Sequence, residues 1–489
     1  MQTLQTPATY KLLIDGDWKD AASGRTFATI NPADESVVAH VAEADAADVD
    51  VAVAAARRAF EEGPWSRMSA AERGRILWGM GDRILARISE LAMLETLDSG
   101  KTLFDSGKIE LPVAASIFHF YAGAATKISG RTVQARSDAF TYTLREPVGV
   151  VAAITPWNFP FLLATWKVAA ALAAGCVVLL KPASETPLTA LEMGRIGLDA
   201  GLPPGVLQVL PGPGSSTGAA LCKHPGVDKI AFTGSTEVGK GVLRDAAGTM
   251  KRVTMELGGK SPNVVFADAD LDAATKGAFT GIFYNKGEVC AAGSRLLVQK
   301  SVYDEVVQKV AERAEAVTLG DPREKSTRMG PVISRKQMES VLGYVESGRT
   351  QGAQVAAGGR RAEEVGGGKG FFVRPTVLSG VTPEMKVAQE EIFGPVLAAL
   401  PFDDVNDACA KANATIYGLA AGVWTRDVTK AHKVARAIKA GTVWINTYNL
   451  YDPGLPFGGF KQSGFGRELG LDALEGYLET KSVWLDLSR

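Results

Sequence analysis

Cysteine and histidine are scarce in this chain, with four of each among 489 residues. The cysteines (Cys176, Cys222, Cys290 and Cys409) follow no regular spacing. That excludes a disulfide framework and suits a reducing cytosol. The histidines (His40, His119, His224 and His432) are scattered, and no CxxC or HExxH spacing occurs, so no metal site is expected. Neither sign of charge is in excess: 53 Lys and Arg stand against 54 Asp and Glu, a net charge of −1. This balance argues against nucleic acid or an acidic membrane surface as the main partner. The most apolar run, 168–180, falls short of the ~20 residues that a spanning helix needs. The N-terminal MQTLQTPATYKLL has no basic region followed by an apolar one, so no secretory signal is expected. Internal repeats and low-complexity segments are absent as well.

What is present is the composition of a soluble globular protein, 46% hydrophobic and 22% charged. A chain this long exceeds one ordinary core, so two or more domains are expected. Residues 10–45 alternate short apolar stretches with turn residues. Helical spacing then covers 48–62, stopping at Gly63-Pro64, and resumes over 70–97 and 103–122. The stretch 130–146, GRTVQARSDAFTYTLRE, reads as strand with polar alternation and predicts a protruding two-stranded arm, a natural pairing site for another subunit.

From 147 to 266, apolar strands (149–155, 176–181, 206–210, 229–233, 253–257, 263–266) alternate with helices (162–174, 187–200, 216–222, 236–247). This pattern predicts a mostly parallel, doubly wound sheet that binds ligands beyond the carboxyl ends of its strands. A second α/β segment runs from about 267 to 460, with helices at 302–318, 334–351, 404–414 and 428–439. It also has a strand-rich stretch near 371–401 and a strand at 443–447. The final 481–487 reads as an edge strand.

One cysteine stands apart. Cys290 lies in GIFYNKGEVCAAGSR (281–295), after an apolar run that reads as a helix end. Gly287 and Gly293 bracket it and Ala291 and Ala292 follow, which presents the thiol on a tight, open turn. Cys176 falls in a core-strand pattern, and Cys222 and Cys409 in amphipathic helices; these three read as structural. A thiol reacts as the thiolate and needs a base and an oxyanion donor. Glu256 ends the apolar strand VTMEL before Gly258-Gly259, where burial raises its pKa toward that of a general base. Asn158 sits in the rigid turn PWNFP, suited to an oxyanion donor or to an Asx-type cap. FTGSTEVGK (232–240) follows a strand and opens a helix, a place where pyrophosphate is stabilised, while GPGSSTG (212–218) is a weaker glycine cluster; either also suits a plain tight turn. Lys181 ends a buried strand, either snorkelling or binding a ribose hydroxyl or phosphate.

Seven motifs in order, PWNFP, KPASETP, FTGSTEVG, MELGGKSPNVVF, GEVCAAGSR, EEIFGPV and PFGGFKQSGFGRE, resemble those of the aldehyde dehydrogenase superfamily of the hydrolytic, NAD(P)-dependent kind. The resemblance covers nearly the whole chain. It implies an α/β fold with a Rossmann-like NAD(P)-binding domain (1–127 and 147–258) and a catalytic domain (259–470). A protruding β arm (128–146 and 471–489) would bridge subunits in a homo-oligomer, dimer or tetramer. It implies Cys290 as nucleophile, Asn158 with the Cys290 N–H as oxyanion hole, and Glu256 as the base that activates water. Lys167 and Glu468 match a proton-relay pair. Glu391 matches the nicotinamide-ribose position and Phe393 the nicotinamide face. Further cofactor positions match Ile154, Thr155, Pro156, Trp157, Lys181, Ser184, Gly214, Phe232, Gly234, Ser235, Thr236, Val238, Gly239, Leu257 and Gly258. Phe159, Trp166, Tyr284 and Phe457 match the aldehyde tunnel, with Leu450 and Tyr451 nearby.

Two departures carry expectations. Ser184 stands where NAD-preferring members have an acid, so NADP is expected to be accepted beside NAD. Glu288 replaces a glutamine two residues before the cysteine and is expected to be a solvated loop charge. An apolar aromatic tunnel without a matching arginine implies an aromatic or medium-chain aliphatic aldehyde. A betaine-type aldehyde is the alternative, though Phe457 replaces a tryptophan often found in such specialists. Glu256 argues against a CoA-acylating relative. Retention of Cys290, Asn158 and Glu256 argues against a non-catalytic cofactor-binding structural protein, and the lack of a histidine partner argues against an esterase or peptidase.

Overall fold

Two stretches of alternating apolar strand and helix close into two separate sheets. In the computed structural model, residues 8–488 are described, so the first residues of the segment read for a secretory signal lie outside it. The first sheet has eight strands, in the order Gly464–Phe465, Arg252–Glu256, Lys229–Thr233, Val150–Ile154, Val177–Lys181, Leu207–Val209, Leu12–Ile14, Asp17–Lys19. The five central strands are parallel and both edges antiparallel. Every residue of 150–154 and 177–181 is buried, as a strand covered by helices on both faces requires. Chain order runs outward from 150–154 in one direction and then resumes at 229–233 on its other side. The reversal leaves a crevice at the carboxyl ends of these two strands.

The second sheet has seven strands, ordered Gln354–Ala357, Thr376–Ser379, Val396–Phe402, Arg295–Gln299, Pro262–Val265, Ala420–Trp424, Thr442–Ile445. Only the linker 257–261 separates the carboxyl end of strand Arg252–Glu256 from the start of Pro262–Val265. The carboxyl edge of the first sheet is therefore tied to the amino edge of the second. Among the described residues no helix is long and apolar enough to cross a membrane.

Local chemistry explains where elements begin and where the sequence reading shifts. Asp45 and Ser69 each form reciprocal capping boxes on helices Ala46–Glu61 and Ala70–Ala86. The expected helix 70–97 is two, broken at Arg87, which leaves helical geometry while its guanidinium binds Glu90 and Glu192. The expected helix 103–122 begins as a π-helical turn, Asp105–Glu110, before Leu111–Ala124. A second π turn, Gly214–Gly218, precedes the short helix Ala219–Lys223. The predicted arm is longer than one local hairpin. Strand Ala139–Pro147 pairs along its length with Leu478–Asp486 from the far end of the chain, while locally residues 131–133 bond to 141–143, with Thr132 opposite Tyr142.

Helix Leu271–Phe283, capped by Asp270, delivers the chain to the cysteine turn. It packs closely because Gly277 leaves room for Trp424: a Cβ there would lie 2.1 Å from the indole. Gly277→Ala is expected to force this helix off strand Ala420–Trp424, costing about 1–3 kcal/mol. A thermal midpoint equal to the wild type's would contradict that packing.

Candidate active site

Three consecutive residues, Asn285, Lys286 and Gly287, take positive φ (44°, 61° and 70°) and turn the chain from the helix end to Cys290. Such backbone costs energy at Asn and Lys and persists only where surroundings hold it. Here they do. Asn285 Nδ2 donates to the Asn158 carbonyl (2.9 Å), and Asn158 Nδ2 donates to the Glu288 carbonyl (2.9 Å). Gly287 sits against the Gly394 carbonyl, 2.1 Å from where a Cβ would be. These contacts bring PWNFP, at the crevice of the first sheet, against the cysteine turn of the second.

The Asn158 amide carries two protons, and the Glu288 carbonyl takes one. The other has no acceptor among the described residues, and the buried Oδ1 has no partner there either. An Asx-type cap does not describe this geometry, since the amide reaches 130 residues along the chain.

Glu256 ends its strand opposite Thr233 on one side and Gly464 on the other. Both of its carboxyl oxygens are buried without a hydrogen-bond partner. Burial, reinforced by the charge of Glu468, raises its pKa well above the carboxylate range, while Lys167 and Arg467 oppose the shift. The loop PFGGFKQSGFGRE wraps it: Gly458 leaves no room for a Cβ, which would stand 2.8 Å from Oε1, and the Leu257 N–H donates to Ser463. Lys167, fully buried, donates to Thr233 Oγ1 (2.6 Å) and pairs with Glu468. Gly259, three residues past Glu256, lies against the Cys290 carbonyl, 2.3 Å from its ideal Cβ. Enclosure by protein, with the negative charges of Glu391 and Glu256 adding, pushes the Cys290 thiol up to about 12. No side chain lowers it, so a base must remove its proton.

Cys290 opens into a cavity of about 780 Å³ lined by Phe159, Trp166, Tyr284, Leu450, Tyr451 and Phe457 among others. Phe159 stacks on Tyr284 (6.1 Å, 26°), and Trp166 meets Phe457 edge-on at 5.3 Å. Asn158 and Glu256 are not among the residues that line this cavity. Arg313 and Arg328 do, although the sequence pointed to no arginine; both are solvent-exposed and so belong to its mouth.

The remaining sequence-selected residues gather at the crevice of the first sheet. The Thr155 N–H donates to the Lys181 carbonyl. Lys181 is buried, and that burial lowers its ammonium to about 8. Only the Pro182 carbonyl accepts from its Nζ, leaving donors spare. Ser184 donates to Gly212, and a Cβ on Gly214 would meet nothing within 4 Å. Ser235 caps helix Thr236–Ala247, whose first-turn Val238 is half exposed. Phe232 packs under Gly234 and Leu257 under Gly239, while Thr236 donates to Gln462. Ile154, at its strand's end, and Pro156 precede Trp157, whose ring meets Phe393 edge-on at 5.2 Å. Phe393 itself has φ 56°. Glu391 accepts from the Gly259 N–H (2.9 Å) through Oε1, and a Cβ on Gly258 would collide with Oε2. Burial raises the Glu391 carboxyl to about 7.

One expectation is corrected. Glu288 is not a solvated loop charge but fully buried, its Oε1 accepting from the Ile333 N–H (2.9 Å) and its Oε2 3.1 Å from Lys286 Nζ. A buried carboxylate persists when paired, and the lysine two residues earlier was the available signal. Lys101, bound to Glu95 and Glu110 and 5.0 Å over the Phe159 ring, was missed altogether, as was the cavity-lining Asn449. Nothing in their local sequence marks them.

The chain is similar to known proteins over nearly its whole length. The profile of the aldehyde dehydrogenase family matches residues 18–483. Aldehyde dehydrogenase 1A1 of Rattus norvegicus is 48% identical over 482 residues, covering 98% of this chain and 95% of its own. The chain belongs to the aldehyde dehydrogenase family. As a member it is an oxidoreductase. Among solved structures, the NAD+ complex of an aldehyde dehydrogenase from Bacillus cereus is 49% identical, covers 98% of this chain and 97% of that one, and superposes with a TM-score of 0.96. A betaine aldehyde dehydrogenase of Staphylococcus aureus in complex with NAD+ is 40% identical, covers 98% and 95%, and also superposes at 0.96. The family's α/β fold is the one seen here.

With the thiol pKa near 12, alkylation of Cys290 by iodoacetamide in the cofactor-free enzyme is expected to rise about tenfold per pH unit between roughly pH 7 and 9. A plateau in that range, read by mass spectrometry of the 281–295 region, would show a pre-formed thiolate.

Proposed function

We propose that this enzyme oxidises an aromatic or medium-chain aliphatic aldehyde to its carboxylic acid, with NAD+ or NADP+ as acceptor. The observation that carries this reading is a thiol lining an aromatic cavity, on a turn bonded to the Asn158 amide and within the electrostatic reach of the buried Glu256 carboxyl. The aldehyde enters through the aromatic walls, and the Cys290 sulfur adds to its carbonyl carbon. Glu256 in its carboxylate form takes the thiol proton, and the burial that raises its pKa makes that carboxylate a stronger base. The second Asn158 proton and the Cys290 N–H face the alkoxide of the thiohemiacetal. A nicotinamide dinucleotide, when bound, supplies the hydride acceptor. The thioester left on Cys290 is hydrolysed by a water that Glu256 deprotonates; the carbon–sulfur bond breaks and the sulfur recovers a proton. Lys167 and Glu468 relay protons to and from Glu256.

The donors at the crevice fit a dinucleotide. The helix end at Ser235 favours pyrophosphate, Lys181 has N–H donors to spare for ribose oxygens, and Glu391 offers Oε2. Ser184 brings no negative charge against a 2′-phosphate. The betaine-type alternative is the weaker reading, because Lys101 already occupies a face of Phe159. The domain division 1–127 with 147–258, 259–470, and 128–146 with 471–489 belongs to this proposal. So do cytoplasmic residence and a homo-oligomer joined at the arm, where Phe140, Leu144, Trp484 and Leu485 are exposed.

Reduced-cofactor formation with an aldehyde panel tests the reaction. Cys290→Ala is expected to lower kcat/KM by more than about 1000-fold. A betaine aldehyde outperforming every aromatic aldehyde would overturn the substrate reading. Ser184→Glu is expected to lower kcat/KM for NADP+ relative to NAD+ by at least about tenfold, through like-charge repulsion; an unchanged ratio would remove Ser184 from cofactor choice.

A further inference from the structure

Three residues on the aromatic cavity, Asn449, Trp166 and Asn285 (at Oδ1), carry buried polar atoms without a hydrogen-bond partner among the described residues. Asn449 lines the cavity, and both its Oδ1 and its Nδ2 are hidden from solvent without a hydrogen-bond partner. Trp166, on the same cavity, has its Nε1–H buried and unpartnered as well. Tyr451, two residues beyond Asn449, lines the same cavity, and its ring lies 6.1 Å from that of Trp166. Buried polar groups are nearly always paired, and an unpaired one in an apolar site is costly. An apolar pocket with a few unsatisfied polar groups is how a protein reads a polar substituent on a hydrophobic ligand.

Asparagine at 449 has another explanation, because its backbone is left-handed (φ 59°), where Asn is tolerated better than most residues. That accounts for the residue type but leaves the amide unsatisfied in the cavity. Asn446, also left-handed (φ 53°), shows the contrast: its Oδ1 accepts from the Thr425 N–H and its Nδ2 donates to the Thr425 carbonyl.

We infer that Asn449 is a specificity residue, and that the preferred aldehyde carries a hydroxyl group remote from the reacting carbon, on the ring or chain that fills the cavity. A hydroxyl both donates and accepts, matching an amide that offers Oδ1 and Nδ2 together and leaving the Trp166 N–H a second acceptor to meet. Discrimination follows from the free site. A substrate without the hydroxyl leaves these groups buried and unpaired, which is the circumstance in which a site rejects the deoxy analogue strongly. The inference rests on the aldehyde oxidation proposed above and narrows its substrate.

The test compares kcat/KM for 4-hydroxyphenylacetaldehyde with phenylacetaldehyde and 4-methylphenylacetaldehyde, and 4-hydroxybenzaldehyde with benzaldehyde and 4-methylbenzaldehyde. The wild-type enzyme is expected to prefer the hydroxylated member of at least one series over both partners by about tenfold or more. Asn449→Gly keeps the left-handed backbone and removes the amide, so the preference in that series is expected to fall at least about tenfold. A wild-type preference below threefold in both series, or a preference that survives Asn449→Gly, overturns the inference. If instead no aldehyde of either series is oxidised while Cys290 is intact, the reading of the reaction has failed. The wild-type comparison decides even if the glycine variant does not fold.

Discussion

Everything at this site depends on a clasp between two sheets. Asn158 leaves the first sheet at the carboxyl end of Val150–Ile154, Cys290 precedes the second at the start of Arg295–Gln299, and two amide side chains hold them together. Asn285 donates to the Asn158 carbonyl and Asn158 to that of Glu288, each at 2.9 Å. The clasp also stabilises left-handed backbone at Asn285 and Lys286, whose strain is of order 1–3 kcal/mol each. It fixes the sulfur and the spare amide proton as one rigid unit. Glycines at 258, 259, 287 and 458 let the backbones meet, each at a point where a Cβ would stand under 3 Å from another atom.

Electrostatics then divide the labour. Burial drives both the Cys290 thiol and the Glu256 carboxyl toward their neutral, protonated forms. The same burial that disfavours the Glu256 carboxylate makes it a stronger proton acceptor when it forms. Lys167 opposes the shift at Glu256 while bound to Glu468, whose own charge adds to it. The same loop that carries Glu468 carries Phe457, and the two residues exchange backbone hydrogen bonds of 2.7 Å. A wall of the aromatic cavity and the Glu468 carboxyl are thus carried on one piece of backbone.

On the other side of Cys290 a second charged layer supports the turn. Lys286 pairs with Glu288 and donates to the Ser99 carbonyl (3.0 Å), while Lys101 joins Glu95 and Glu110. Tyr284 Oη reaches Glu110 at 3.2 Å, so this layer also orients a cavity wall. Paired in this way the charges avoid the penalty of isolated burial.

The alternation of apolar strands with helices determined the fold class, because periodicity is a local property, and local turn chemistry singled out glycine-bounded Cys290 after a helix as the candidate nucleophile. Glu256 was legible as a carboxylate at the tip of an apolar strand, and Asn158 as an amide in a rigid turn. Tertiary structure alone decided the partners. Glu288 read as solvated because exposure depends on what packs over a loop, here Ile333 and Lys286. Lys101, Glu110 and Asn449 carry no local mark, since they meet the cavity only when segments hundreds of residues apart converge. The strand partner of Ala139–Pro147 was hidden for the same reason: Leu478–Asp486 lies over 300 residues away, and pairing across such a distance leaves no trace in either strand's own periodicity.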